Sequence, residues 1–168
     1  MILLDIGSGS HPHPRAEVTC DLYFNAEFEG GPIRAREQKN FLICDAQYLP
    51  FKDQAFEESN CTHVLEHLED PRLGFSELQR VSKQGYIETP STLYENILFG
   101  YPFHYWFFFK KKGNVYFSKS WKLKVNGATI LPLGWFLHKL TLHKRFSKMV
   151  IPVRKLSLFY MHHSWRLQ

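Results

Sequence analysis

Histidine and glutamate stand at a metal-binding spacing in "CTHVLEHLED", residues 61 to 70, where His63, Glu66 and His67 spell H-x-x-E-H. On one helix that spacing turns two imidazoles the same way, and zinc takes them with a further acid from downstream. The surroundings argue against zinc. The pattern starts where an apolar run ends as a strand would, Asp70 follows as a helix N-cap, and no acidic residue occurs after Glu95. Cys20, Cys44 and Cys61 form no C-x-x-C pair and each lies in or beside an apolar run, so they read as buried free thiols. The expectation is a protein without a metal site.

A second set of reactive residues sits where short apolar runs break into polar ones. "ILLDIG" ends in Asp5 and Gly7, "EVTCDLY" places Asp21 after a β-prone run, and "NFLICDA" places Asp45 after four apolar residues. Each run reads as a buried parallel strand. "EESNCTHVL" supplies a fourth strand and "GYIETPS" a fifth, halted by Pro90. Between them "DPRLGFSELQRVSK" reads as a helix, with Asp70 as N-cap, Pro71 at the first position and Phe75, Leu78 and Val81 on one face. Phe51 and Phe56 are read as core. Further on, "HYWFFFKKKGNVYFSKS" reads as a hairpin of aromatic-rich arms around a Lys112-Gly113-Asn114 turn. The fold class expected is α/β: a Rossmann-like sheet, mostly parallel, with an antiparallel C-terminal hairpin.

In such a sheet the ligand lies outside the carboxyl ends of the strands, which gathers Gly7, Gly9, Asp21, Asp45 and residues 61 to 63 at one edge. The missing side chains of "DIGSGS" let backbone approach a ligand closely. An acid after the second strand can accept from ribose hydroxyls, and one after the third from an adenine amine. Three separate loops thus imply adenosine. The dinucleotide fingerprint G-x-G-x-x-G fails because its sixth position is Pro12, and a P-loop fails for want of a G-K-[ST] ending.

What remains resembles the class I S-adenosylmethionine-dependent methyltransferases, in particular the small bacterial methyltransferase type 11 domain. The pieces "LLDIGSGS", "VTCD", "CDAQYLPFKDQAF", "CTHVLEHLEDP" and "ELQRVSKQGYIETPS" match in the family's order over about residues 2 to 91. The resemblance implies S-adenosylmethionine as cofactor and a methyl transfer; since no stretch matches an RNA- or protein-recognition module, the acceptor expected is a small molecule, lipid or glycan intermediate. It implies that Asp5 orients the glycine loop and the donor's ammonium group, and that Gly7 and Gly9 let the backbone pass the methionine moiety. By the same resemblance Asp21 holds the ribose, Asp45 and the backbone of Ala46 meet the adenine, and Leu49 forms its apolar wall. "HVLEH" forms the turn after the fourth strand, with His63 the candidate catalytic residue at the reaction centre. A histidine there can take a proton if the acceptor must lose one. Glu88, Thr89 and Ser91, after the fifth strand, can line an acceptor pocket.

The sequence also departs from the family. The third position of the usual G-x-G-x-G is His11, with Pro12 and Pro14 close behind. Only Ser10 to Glu17 separate the first two strands, too few and too proline-rich for the usual helix of about 10 residues. One sheet face is therefore expected to lie partly bare. The chain starts at its first strand, which implies reduced N-terminal helical cover over the cofactor.

Composition bounds the rest. With 168 residues, 44% of them hydrophobic, the chain can bury a sizeable core. Residues 1 to 120 are expected to form the methyltransferase-like domain, with 121 to 168 a basic, aromatic-rich extension packed on it. No apolar run reaches the roughly 18 residues of a membrane span. "MILLDIGSGS" carries an acid where a signal peptide carries basic residues, so a cytoplasmic protein is expected. Residues 1 to 95 hold 8 Lys+Arg against 16 Asp+Glu, whereas residues 96 to 168 hold 13 Lys+Arg and no acid, which together give the net +5. The basic half either balances the acidic half within one fold or faces an anionic partner. Its stretch "GWFLHKLTLHKRFSKMVIPVRKLSLFYMHHSW" reads three ways: a helical cap on the sheet, a peripheral-membrane segment, or a nucleic-acid surface. Alternatives to an active methyltransferase are therefore a methyltransferase-like binding protein that has lost catalysis, and a basic membrane- or nucleic-acid-binding protein on the same fold.

Overall fold

The computed structural model describes residues 2–25, 27–28, 31–32, 37–91, 104–111, 114–119, 123–125, 128–130 and 160–166. In chain order its strands are β1 (Leu3–Ile6), β2 (Val18–Asp21), β3 (Glu27–Phe28), β4 (Gly31–Pro32), β5 (Phe41–Ile43), β6 (Phe56–Thr62), β7 (Ser82–Pro90), β8 (Trp106–Lys111), β9 (Asn114–Lys119), β10 (Leu123–Val125), β11 (Ala128–Ile130) and β12 (Tyr160–Arg166). One α-helix, α1 (Pro71–Val81), precedes β7. The chain divides into two compact units, Met1–Glu88 with His162–Gln168, and Thr89–Met161.

The first unit is built on a six-stranded sheet of order β12-β7-β6-β1-β2-β5. β1 runs parallel to both β2 and β6, β5 parallel to β2, and β7 parallel to β6. Leu4, Ile6, Cys20 and Cys61 are at most 2% exposed, as central strands of such a sheet must be. Cys20, Cys44 and Cys61 are buried free thiols, as read from the sequence. β5 departs from that reading. It is the edge strand, and Leu42 and Ile43 are 37% and 60% exposed.

α1 starts where its chemistry dictates. The Asp70 carboxylate accepts from the Arg72 backbone N–H at 2.9 Å and Pro71 opens the first turn, where no N–H is needed. Leu78 and Val81 are buried to 1% and 0%, each such side chain stabilising the fold by about 1.5–3 kcal/mol. Phe75 meets Trp165 of β12 edge-on at 5.7 Å, and Trp165 in turn lies over Gly85 of β7. A Cβ at Gly85 would come within 2.2 Å of that indole, so the site admits only glycine. This face of the sheet is the helix-covered one.

Residues 7–17, all described, contain no helix. The linker folds back by short-range bonds instead: Ala16 N–H to His13 O at 2.9 Å, Glu17 N–H to Leu3 O at 3.0 Å, and Arg15 N–H to His13 Nδ1 at 3.2 Å. Where one face was expected to lie partly bare, Leu3, Asp5, Thr19 and Asn60 on the face opposite α1 are buried to 8% exposure or less.

In the second unit β8 and β9 form the expected antiparallel hairpin, with Phe109 stacked on Tyr116 at 5.5 Å and Phe107 buried. Lys112 and Gly113 of the turn lie outside the described residues. The hairpin is a two-stranded sheet of its own rather than the last pair of strands of the large sheet. β12 takes that edge, so residues 160–166 are a strand and not part of a helical cap. β10 and β11 pair antiparallel, as do β3 and β4. The rest of the basic stretch, 134–159, lies outside the described residues.

Candidate functional site

The strand ends gather the sequence's candidate residues as parallel register requires. Asp5 lies opposite Thr19 and Asn60, Asp21 opposite Ile43, and Thr62 opposite Glu88. Between β1 and β2 the chain turns through Gly7 and Gly9, at φ +66° and +52°, the left-handed region where glycine carries no penalty. Gly7 and Ser8 donate their N–H groups to Cys20 O at 2.8 and 3.1 Å, and Gly9 donates to Asp21 Oδ2 at 3.0 Å. A Cβ on Gly7 would come within 2.1 Å of Val64 Cγ2, so packing and dihedral both require glycine there. At Gly9 an added Cβ would touch only Gly7 O, at an ordinary van der Waals distance of 3.8 Å, so there the dihedral alone calls for glycine.

Asp5 is 2% exposed, accepting from Asn60 Nδ2 and from the His13 N–H, each at 2.7 Å. Burial raises its pKa, against the lowering effect of those two bonds. It therefore ties the glycine turn to the linker and to β6. Asp21 is half-buried and also accepts from Tyr23 N–H at 3.3 Å. Asp45, half-buried, accepts from Gln47 N–H at 2.8 Å, beside buried Ala46 and Leu49.

Three braces that sequence reasoning missed hold these loops. Gln38 takes the Ser8 hydroxyl on Oε1 at 2.7 Å and gives Nε2 to Gly9 O at 2.8 Å. Gln47 Oε1 accepts from the Asp70 N–H at 2.8 Å, tying the Asp45 turn to the start of α1. Arg80 forms a two-bond fork with Glu77 at 2.6 and 2.8 Å and donates to Leu49 O and Phe51 O at 2.9 and 2.8 Å. Glu77 closes the clasp by accepting the Leu49 N–H at 2.7 Å. Only the Glu77/Arg80 spacing on a helix was a usable signal in the sequence.

His63 stands at the end of β6 with φ +58°, a left-handed backbone uncommon outside glycine. Its N–H donates to Glu88 O at 2.9 Å. Its ring lies between two carboxylates, Nδ1 at 3.4 Å from Glu66 Oε1 and Nε2 at 3.3 Å from Glu88 Oε1. Glu66 is 1% exposed, and His63 is its ion-pair contact among the described residues. Partial burial pulls the His63 pKa down, but Glu66 and Glu88 outweigh it and push the value up to about 9. The imidazole is therefore cationic at neutral pH. Glu88 extends the group: its Oε2 accepts from the Tyr86 hydroxyl at 2.8 Å and lies 3.1 Å from His162 Nδ1. His162 and the Tyr86 ring stack at 5.8 Å.

An open parallel sheet with a doubly left-handed glycine turn after β1, and acids after the next two strands, defines a Rossmann-like architecture. The family profile described as methyltransferase domain matches residues 4–87, half of the chain. This chain belongs to the methyltransferase domain family. It is similar to a demethylmenaquinone methyltransferase of Paenarthrobacter aurescens (strain TC1), 31% identical over 86 residues, covering 49% of this chain and 34% of the relative. The chain thus spans about a third of the length of that curated relative. Among solved structures, the PH0226 protein of Pyrococcus horikoshii OT3 aligns over 99% of this chain and 81% of its own, at TM-score 0.53 and 15% identity, and so shares the fold. A SAM-dependent methyltransferase of Thermotoga maritima, described as a possible histamine N-methyltransferase, aligns over 53% of this chain and 43% of its own, at TM-score 0.43 and 19% identity.

Proposed function

We propose that the chain is an S-adenosylmethionine-dependent methyltransferase acting on a small molecule, lipid or glycan intermediate, with the donor at the strand-end crevice. The observation that carries this reading is the glycine turn, left-handed at both Gly7 and Gly9 and bonded to Asp21. The fit is of kind as well as place. Asp21 and Asp45 offer half-exposed carboxylate oxygens for ribose hydroxyls and the adenine amine, Ala46 and Leu49 line the base, and Asp5 fixes the turn that meets the methionine end. When bound, S-adenosylmethionine supplies a methyl carbon on a cationic sulfur, open to in-line displacement.

The protein's part is then alignment, exclusion of water and charge. His63, cationic to about pH 9, is assigned to positioning rather than to proton removal. It holds Glu66 and Glu88 in place at the end of β6. The basic stretch 134–165 is proposed to meet an anionic partner, on a protein working in the cytoplasm or at a membrane surface.

Calorimetric titration with S-adenosylhomocysteine tests the reading. Micromolar binding that Asp45→Ala weakens at least about tenfold is expected, a carboxylate hydrogen bond being worth about 1.5–3 kcal/mol. No heat and no thermal shift at millimolar ligand would defeat it.

A further inference from the structure

The face of the sheet opposite α1 is polar, which a central parallel sheet covered by helices does not require. Strand parity places Leu3 and Asp5 of β1, Glu58, Asn60 and Thr62 of β6, and Gln84, Tyr86 and Glu88 of β7 side by side on it. The linker His11–Arg15, standing where the family's first helix is missing, leaves a cleft of about 470 Å³ over Leu3, Glu58, Asn60, Thr62 and Tyr86. That volume falls within the roughly 300–1,000 Å³ of small-molecule sites. Gly7, Gly9, Asp21 and Asp45 do not line it, and it adjoins the glycine turn only through His13 and Asn60, which both bond Asp5.

The lining indicates what the cleft can hold. Its one guanidinium and its one exposed-side carboxylate, Arg15 and Glu58, oppose each other at 3.5 Å, so neither a strong anion nor a strong cation finds an unopposed partner there. The remaining polar lining is carboxamide, hydroxyl, phenol and imidazole, groups that both donate and accept. Asn60 is held by Asp5 and the Tyr86 hydroxyl by Glu88 and His162 Nδ1, so their orientations are fixed before anything binds and Tyr86 offers a ligand its remaining lone pair as acceptor. Pro12 and Pro14 stiffen the opposite wall.

We propose that this cleft is a binding site for a neutral, polyhydroxylated small molecule of the sugar or cyclitol class. Such a ligand presents a ring of paired donor–acceptor hydroxyls without net charge, matching a wall of the same character. The binding claim stands apart from methyl transfer.

Saturation-transfer NMR and calorimetry on the intact chain test it, using methyl α-D-glucopyranoside, methyl α-D-galactopyranoside and myo-inositol, with glucuronate and glucosamine as charged comparators. At least one neutral probe is expected to bind in the millimolar range. Tyr86→Phe should weaken it about three- to tenfold, the value of one hydrogen bond. Pro14→Trp, on the exposed linker, should block the cleft and serves if Tyr86→Phe melts early. Binding of charged comparators alone, binding indifferent to both variants, or no binding at about 0.1 M would each overturn the proposal. S-Adenosylhomocysteine binding with no neutral probe bound sinks this site and leaves the methyltransferase reading standing; the converse outcome supports the site and removes that reading.

Discussion

The two carboxylates around His63 make a measurable demand on stability. Glu66 and Glu88 push the imidazole's pKa up to about 9 from the ordinary 6.5, so the folded state holds its proton more tightly than the unfolded chain does. A raised pKa of this kind stabilises fully below about pH 6.5, and the contribution drains away as pH rises to about 9. Taken whole, the shift corresponds to about 3 kcal/mol. The side chain is 44% exposed, so solvent screening reduces the expected value to about 1 kcal/mol. Urea unfolding of the wild type and of His63→Gln, from about pH 6 to about pH 9, measures it. The difference between the two proteins should be about 1 kcal/mol larger at the acid end than at the alkaline end. The comparison is needed because Cys20, raised by the Cys44 thiol and by burial, and Cys61, raised by burial, add a loss of the same sign near and above pH 9 in both proteins. A gap independent of pH, or one that widens as pH rises, would refute the argument that Glu66 and Glu88 hold the ring charged.

Gly7→Ala should destabilise by about 2–4 kcal/mol, since left-handed strain adds to an overlap with Val64, and should abolish S-adenosylhomocysteine binding in whatever fraction folds. Gly9→Ala, with dihedral strain but no overlap, should cost only about 1–2 kcal/mol by thermal melt. Leu78→Ala opens a void against the sheet and should cost about 2–5 kcal/mol in urea. Arg80→Ala removes the clasp on residues 49–53. It should raise amide exchange there and weaken nucleoside binding about two- to fivefold, with stability changed by about 1 kcal/mol or less because the guanidinium is a third exposed.

Much of the fold was legible because its signals are local. Asp70 followed by Pro71 announces a helix start wherever it occurs, and Phe75, Leu78 and Val81 recur at helical spacing. The strand-to-glycine break after Ile6 and the eight residues before Val18 ruled out a helix between β1 and β2, and the structure has none there. The exposure of β5 was not legible, because an apolar run reads alike whether its strand is central or at an edge. β12 was missed for a related reason. "YMHHSWR" carries no clear alternation, and its place beside β7 depends on a chain return of about 70 residues that no local spacing encodes.

By itself the sequence determined the five parallel strands β1, β2, β5, β6 and β7, helix α1, the β8–β9 hairpin, the glycine break after β1 and the residue types at the strand ends, since backbone propensity and short-range capping act within a few residues. Only the tertiary structure decided that His63 sits between Glu66 and Glu88, that Gln38, Gln47 and Arg80 brace the loops, and that the face opposite α1 is polar with a cleft. Charge pairing, burial and cavity shape depend on groups brought close by strand pairing across tens of residues. Their energies vary steeply with distance and exposure, quantities that a linear spacing leaves open.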